Sequence, residues 1–277
     1  MNSKKKSNRK QQNKHIEEEL ETYHDNKEKD KEKENLKCMF ENYSYLSNKE
    51  KNTLDKKFTK PRNASQYKYI QELNNPHNKI IIATGPAGTG KTLFATEYGL
   101  KYFFMGKIEK LIFTRPAVCA DEDLGYLPGT LEEKLAPYIR PIYDILYRFL
   151  TPNEVSQLLE DKHIEIAPLA YMRGRTFKNT WIIADEMQNA TPSQMKMLLT
   201  RLGENSHMVI TGDLDQHDRM GEINGLQDFL DKFKGCRSSS ISSIEFDQND
   251  IEREEVIKEV LNIYSGIVPM TYIEEIV

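Results

Sequence analysis

The stretch KIIIATGPAGTGKT, residues 79–92, constrains this chain more than any other. An unbroken β-rich apolar run feeds into the octapeptide GPAGTGKT and then into LFATEYGLKYFF, a helix-like segment. The octapeptide fits GxxxxGK[ST] with a strand before it and a helix after it, the context in which that pattern cradles an anion. Gly85, Gly88 and Gly90 permit backbone angles closed to other residues. Across Gly85, Pro86, Ala87, Gly88, Thr89 and Gly90 the main chain can therefore turn N–H groups inward on phosphate oxygens. Lys91 would reach the β- and γ-phosphates and Thr92 would hold Mg²⁺, with the helix N-terminus adding a favourable field. A nucleoside triphosphate with Mg²⁺ is the expected ligand; a bland glycine-rich turn is the alternative.

From residue 61 onward short apolar runs alternate with helix-like segments. KIIIAT (79–84), KLIFT (110–114), HIEIA (163–167), WIIAD (181–185), HMVIT (207–211) and SIEF (243–246) are nearly continuous in apolar character, as strands covered on both faces tend to be. Between them, TLEEKLAPYI carries Thr130 and Glu133 as a capping box. TPSQMKMLLTRLG carries Thr191 as N-cap, Pro192 at the first helical position, Gln194 at the third, and Gly203 as the expected stop. Residues 115–160, with Pro116, Pro128, Pro137 and Pro141, read as a helical insertion. The fold class expected is α/β, a mostly parallel sheet with helices on both faces. Ligands on such sheets sit at the carboxyl ends of the strands.

Composition sets the boundaries. A chain of 277 residues, 38% hydrophobic, supports one good-sized domain. Residues 1–60 hold 16 basic and 12 acidic groups, whereas residues 61–277 hold 23 basic and 31 acidic, a net charge of −8. The front is too poor in apolar residues to offset its chain entropy, so residues 1–59 are expected to be a disordered or loosely helical extension and 60–277 the globular domain. Residues 1–14 carry six basic groups and no acidic one, which suits a phosphate backbone, an acidic partner or a solubilising end equally. Cys38, Cys119 and Cys236 are odd in number and far apart, which argues against a disulfide framework or zinc site. With no signal-peptide core and no bilayer-length apolar run, the expected location is cytoplasmic, in a host cell if the chain is viral, with no membrane partner.

The run IIADEMQN, residues 182–189, ends in two adjacent carboxylates followed at short range by a glutamine. Asp185 lies where a Mg²⁺ ligand behind the phosphates belongs, and Glu186 can act as the base on water. A cation between the phosphates and Asp185 would relieve the cost of adjacent acids; two acids capping a strand is the structural alternative. VITGDLDQHD, residues 209–218, ends similarly: Gly212 would let the chain turn, and Asp213 and Gln216 would project from the strand end. Gln216 suits a γ-phosphate or water contact and an ordinary loop position alike.

GPAGTGKT, DEMQ and GDLDQ, in this order and spacing, resemble motifs I, II and III of superfamily 1 helicases, whose core is RecA-like. KPRNASQYKYIQEL (60–73) places Gln66 before the first strand, similar to the glutamine that reads the adenine edge in that superfamily, a pairing an amide can make. The chain has no NKxD segment, which favours ATP over GTP. More specifically, FTRPAV, LGYLPGTLEEKLAPYIRPIYD, YMRGRTF, DEMQN, MKMLLTRLGENSHMVITGDLDQ and NGLQDF together resemble the PhoH-like ATPase family over about residues 60–265. Met187 departs from the family pattern, in which a smaller residue is more usual.

The resemblance implies an ATP-hydrolysing, Mg²⁺-dependent enzyme coupled to RNA or single-stranded DNA; a switch acting on a protein partner is the rival reading. Superfamily 1 motors place ATP between two RecA-like lobes and only one fits here. An arginine from a neighbouring subunit, hence a homo-oligomer such as a ring, is the implied completion. Arg173, Arg175, Arg201 and Arg253 are the candidates, each equally suited to a surface salt bridge. Arg253 is favoured as lying near the superfamily's motif IV arginine. Arg115 in FTRPAV matches a single-strand contact motif; pairing with Asp121 or Glu122 is its structural alternative. The acidic core argues against a broad electrostatic footprint, so any nucleic acid would bind in a local channel.

Overall fold

A computed structural model describes residues 55–116, 140–216 and 223–252, together with helical residues 256, 257, 260 and 263. All six apolar runs form strands: β1 (Ile80–Thr84), β2 (Lys110–Arg115), β3 (Ile164–Pro168), β4 (Thr180–Ala184), β5 (His207–Gly212) and β6 (Ile241–Glu245). They make one sheet in the order β3-β2-β4-β5-β1-β6, every neighbouring pair parallel. The glycine-rich loop follows β1 and the paired acids follow β4, with β5 between them. This is the RecA-like arrangement of a P-loop fold.

Side chains alternate between two cores, as a pleat of period two requires. Ile81, Leu111, Phe113, Trp181, Ile183 and Val209 face one way, against helices α1 (Ala64–Asn74), α2 (Lys91–Phe104) and α3 (Pro152–Glu160). Ile82, Ile112, Ile182, Met208 and Ile210 face the other way, against α4 (Pro192–Leu199) and α5 (Gly225–Phe233). In β1, β2, β4 and β5 both faces are covered, which explains why these strands read as continuous rather than alternating apolar runs.

Local signals set the helix starts. Thr191 accepts from Gln194 N while the Gln194 side chain accepts from Thr191 N, with Pro192 at the first position, as expected. The same box recurs unannounced at Thr151 and Glu154 on α3. The expected stop at Gly203 is corrected: α4 ends at Leu199, with Thr200 as its C-cap. Gly203 serves a different need, because a Cβ there would lie 2.4 Å from Phe177 O, the carbonyl that accepts its own N–H. The helix expected at 130–139 and residues 1–54 of the extension expected over 1–59 lie outside the described residues, whereas its last residues join the domain, with Phe58 packed against the core and Thr59 bonded to Glu97; within the span expected as a helical insertion, residues 140–146 and α3 are helical.

Gly99 lies inside α2, where glycine costs roughly 1 kcal/mol of helix propensity relative to alanine. A Cβ at this position would come within 2.7 Å of Trp181 Cδ1 and 2.9 Å of Leu111 Cδ2. Trp181 is fully buried and its indole N–H donates to Ala95 O, so it has little freedom to yield. Overpacking of this kind costs about 1–3 kcal/mol. Gly99→Ala is therefore expected to destabilise the protein by up to about 2 kcal/mol, read as a lower urea midpoint; an unchanged or raised midpoint would show that Trp181 moves aside.

Candidate functional site

The carboxyl ends of β1, β4 and β5 open into a cleft of about 260 Å³ lined by the glycine-rich loop together with Asp185, Glu186, Asp213 and Gln216. The loop is shaped by close approach. Gly85 has φ 130°, and a Cβ on it would sit 2.2 Å from Phe246 O at the end of β6. Gly90, with φ 89°, leads directly into α2.

Within the cleft, the Lys91 ammonium donates to Gly85 O at 2.6 Å and Pro86 O at 2.8 Å. Burial lowers its pKa from the ordinary lysine value, while the negative charges of Asp213, Asp185 and Glu186 pull the other way. Thr92 Oγ1 donates to Asp185 Oδ1 at 2.9 Å across 93 positions of sequence, and Thr211 Oγ1 donates to the same oxygen. Asp185 N in turn bonds Thr114 O, which ties the acid to β2.

Glu186, next along, has φ 54° and ψ 36°, a left-handed backbone at a non-glycine position. Its carboxylate accepts from the Gln188 side chain at 2.6 Å. Gln188 was conspicuous in the sequence but carried no assigned role there. Gly212 is corrected in its reason: it ends β5 with no positive φ, and its missing Cβ leaves room for Leu226 Cδ2 and Gln188 Oε1, which would lie 2.6 and 2.8 Å away.

Gln66 is built into the underside of the loop. It is 3% exposed, its Nε2 donates to Thr89 O, and its Oε1 accepts from Arg62 N. Reading a base edge would require the amide to leave both partners. The segment after β6 covers the same side: Glu252 N donates to Gly88 O, and Asn63 Nδ2 donates to Asp250 O and Glu252 Oε1.

The arginines are scattered. Arg173 is exposed just past the 3-10 turn Leu169–Met172. Arg175 forms a two-point ion pair with Glu165 and lies 4.6 Å over the Phe177 ring. Through that pairing, the Arg175 pKa is raised and the Glu165 pKa lowered. Arg201 donates to Met197 O, Arg175 O and Thr200 Oγ1. Its carbonyl accepts from Phe177 N, just ahead of the start of β4, so it lies at the amino edge of the sheet, opposite the cleft of its own chain. Arg253 lies outside the described residues. Arg115 lines a second, small cavity of about 30 Å³, with Phe113, Ile142, Ile166 and Pro168, which shares Thr92 and Asp185 with the cleft.

Among the described residues no three His, Cys, Asp or Glu side chains form a metal cage. Mg²⁺ does not need one, since it binds characteristically through one or two carboxylates and substrate phosphates. The hydroxyl of Thr92 touching the Asp185 carboxylate is an all-oxygen pair that fits such an ion. No helix among the described residues is long and apolar enough to cross a membrane.

A family model described as PhoH-like protein matches residues 58–265. A PhoH-like protein of Bacillus subtilis is 46% identical over 200 residues, covering 72% of this chain and 61% of that protein. Protein PhoH of Escherichia coli is 41% identical over 207 residues, covering 74% of this chain and 57% of that one. The chain thus spans about six tenths of the length of the curated relatives it matches. A SWI2/SNF2 ATPase core from Sulfolobus solfataricus, solved with double-stranded DNA, aligns with 77% of this chain and 55% of its own at a TM-score of 0.41 and 15% identity.

Proposed function

The chain belongs to the PhoH-like family, and from that premise and the chemistry of the cleft we propose that it binds ATP with Mg²⁺, hydrolyses it, and couples turnover to RNA or single-stranded DNA in the cytoplasm. The observation that carries the hydrolytic part is the convergence of Thr92 and Asp185 at 2.9 Å, with Glu186 lining the same cleft.

Lys91 and the loop from Gly85 to Thr92 hold the β- and γ-phosphates; the ammonium exchanges its Gly85 and Pro86 carbonyl partners for phosphate oxygens. Thr92 and Asp185 would hold Mg²⁺, which would supply positive charge against the charge developing on the phosphate oxygens. Glu186 takes a proton from the attacking water, and Gln216, exposed at the mouth of the cleft, orients that water. Asn63, Gln66 and the chain after β6 bound the side of the cleft where the base would lie. Arg173 and Arg253 are candidates to complete the γ-phosphate site of a neighbouring copy, in a homo-oligomer such as a ring. Arg175 and Arg201 act structurally, given their partners. Arg115 is the candidate nucleic-acid contact.

The test is steady-state phosphate release with ATP alone, with RNA and with single-stranded DNA, alongside the mass of the assembly. Basal release stimulated severalfold by either polymer supports the full reading. Release that no nucleic acid alters would instead favour a switch acting on a protein partner, the reading that the net charge of −8 on residues 61–277 supports. No release at all with Mg²⁺ and ATP would overturn the hydrolytic reading.

A further inference from the structure

Gln188 is 1% exposed and all three of its amide contacts lie in the site. Nε2 donates to Glu186 Oε2 at 2.6 Å and to Gln216 O at 3.2 Å, while Oε1 accepts from Asp213 N at 3.1 Å. Turning the amide over would set its oxygen against a carboxylate and a carbonyl, and its N–H against another N–H. Only the observed orientation satisfies all three partners. Gly212 makes the approach possible, since a Cβ there would crowd both Gln188 Oε1 and its backbone nitrogen, at 2.8 and 3.3 Å.

One side chain therefore joins the ends of two strands. Glu186 follows β4; Asp213 and Gln216 follow β5. Glu186 also holds a sparsely populated backbone conformation, and such conformations persist where the surroundings over-determine them. Resting on the reading of Glu186 as the base on water, we infer that Gln188 is a positioning residue. It aims the Glu186 carboxylate with the same amide that fixes the Asp213–Gln216 loop, so the base and the loop facing the terminal phosphate are set as one unit. Neither Lys91 nor Thr92 touches this amide, so the grip on the phosphates is independent of it.

The test compares two substitutions. Gln188→Met keeps the volume and removes every polar contact; Gln188→Glu keeps an acceptor for Asp213 N and loses both donors, so one variant remains informative if the other fails to fold. Each is expected to lower kcat by about 10- to 100-fold, the scale of a hydrogen bond to a charged group, with the dissociation constant for a fluorescent ATP analogue changed less than about threefold. Added to Glu186→Gln, either should cost less than a further factor of about two, because the proton-accepting carboxylate that Gln188 aims is already gone. A kcat within about twofold of the parent, parallel loss of kcat and nucleotide affinity, or full additivity with Glu186→Gln would each overturn the inference. If Glu186→Gln alone retained the parent's turnover, the assignment of the base would fail first, whatever the Gln188 variants do.

Discussion

Glu186→Gln is expected to lower ATP turnover by about 10²- to 10⁴-fold, the range contributed by a well-placed general base, while nucleotide binding is retained. The substitution is close to isosteric, and a glutamine oxygen can still accept from Gln188 Nε2, so the geometry of the strand end survives. What disappears is the ability to take a proton. Removing a negative charge beside a triphosphate also favours binding, so affinity should hold or tighten. Single-turnover phosphate release together with fluorescence binding of an ATP analogue separates the two effects. Turnover within twofold of the parent would remove Glu186 from the reaction. Lys91→Ala is a blunter instrument, because the ammonium also holds the carbonyls of Gly85 and Pro86, and its loss would alter the loop itself.

The second large effect lies away from the cleft. Glu97, in the middle of α2, is fully buried and accepts from Thr59 N at 2.7 Å, Thr59 Oγ1 at 2.8 Å and Arg148 at 2.6 Å. One carboxylate thus fastens residues ahead of α1, and the stretch that follows helical residues 140–146, to the helix that carries the phosphate loop. Breaking a buried pair by deleting one partner costs about 3–5 kcal/mol. The Arg148 side chain is 42% exposed and can regain water, so the expected loss for Glu97→Ala is about 2–4 kcal/mol, or about 5–15 °C in melting temperature. Lys232 and Asp228 form a pair of the same 2.6 Å length, but the Lys232 side chain is 70% exposed. Lys232→Ala should cost under about 1 kcal/mol. Equal losses in the two variants, measured by thermal denaturation, would show that burial does not set the difference.

These contrasts separate what the sequence makes legible from what it does not. The six strands, the loop and the Thr191–Gln194 box are local patterns, each written in fewer than about fifteen consecutive residues, and the structure contains them. The pairing of Thr92 with Asp185 was reachable from motif order, since the reading of these motifs as a phosphate loop and a metal-side acid requires that they meet. Glycine was misjudged where its reason is a distant neighbour: Gly203 answers to Phe177 O and Gly212 to Gln188 and Leu226, contacts no local window records. The partners of Glu97 are likewise 38 and 51 positions away. Gln188 stood out beside the two acids, but its role depends on β4 and β5 lying side by side, and strand order is not readable from one sequence alone.

The left-handed backbone of Glu186 has an evolutionary corollary. A glycine adopts that conformation without the steric cost that a side chain incurs, roughly 1–2 kcal/mol. Selection for heat endurance alone would therefore push this position away from an acid, and libraries screened only for ruggedness should accumulate inert survivors there. On the proposed reading of Glu186 as the base on water, the usefulness of an acid at so uncomfortable an address outweighs its burden on the fold.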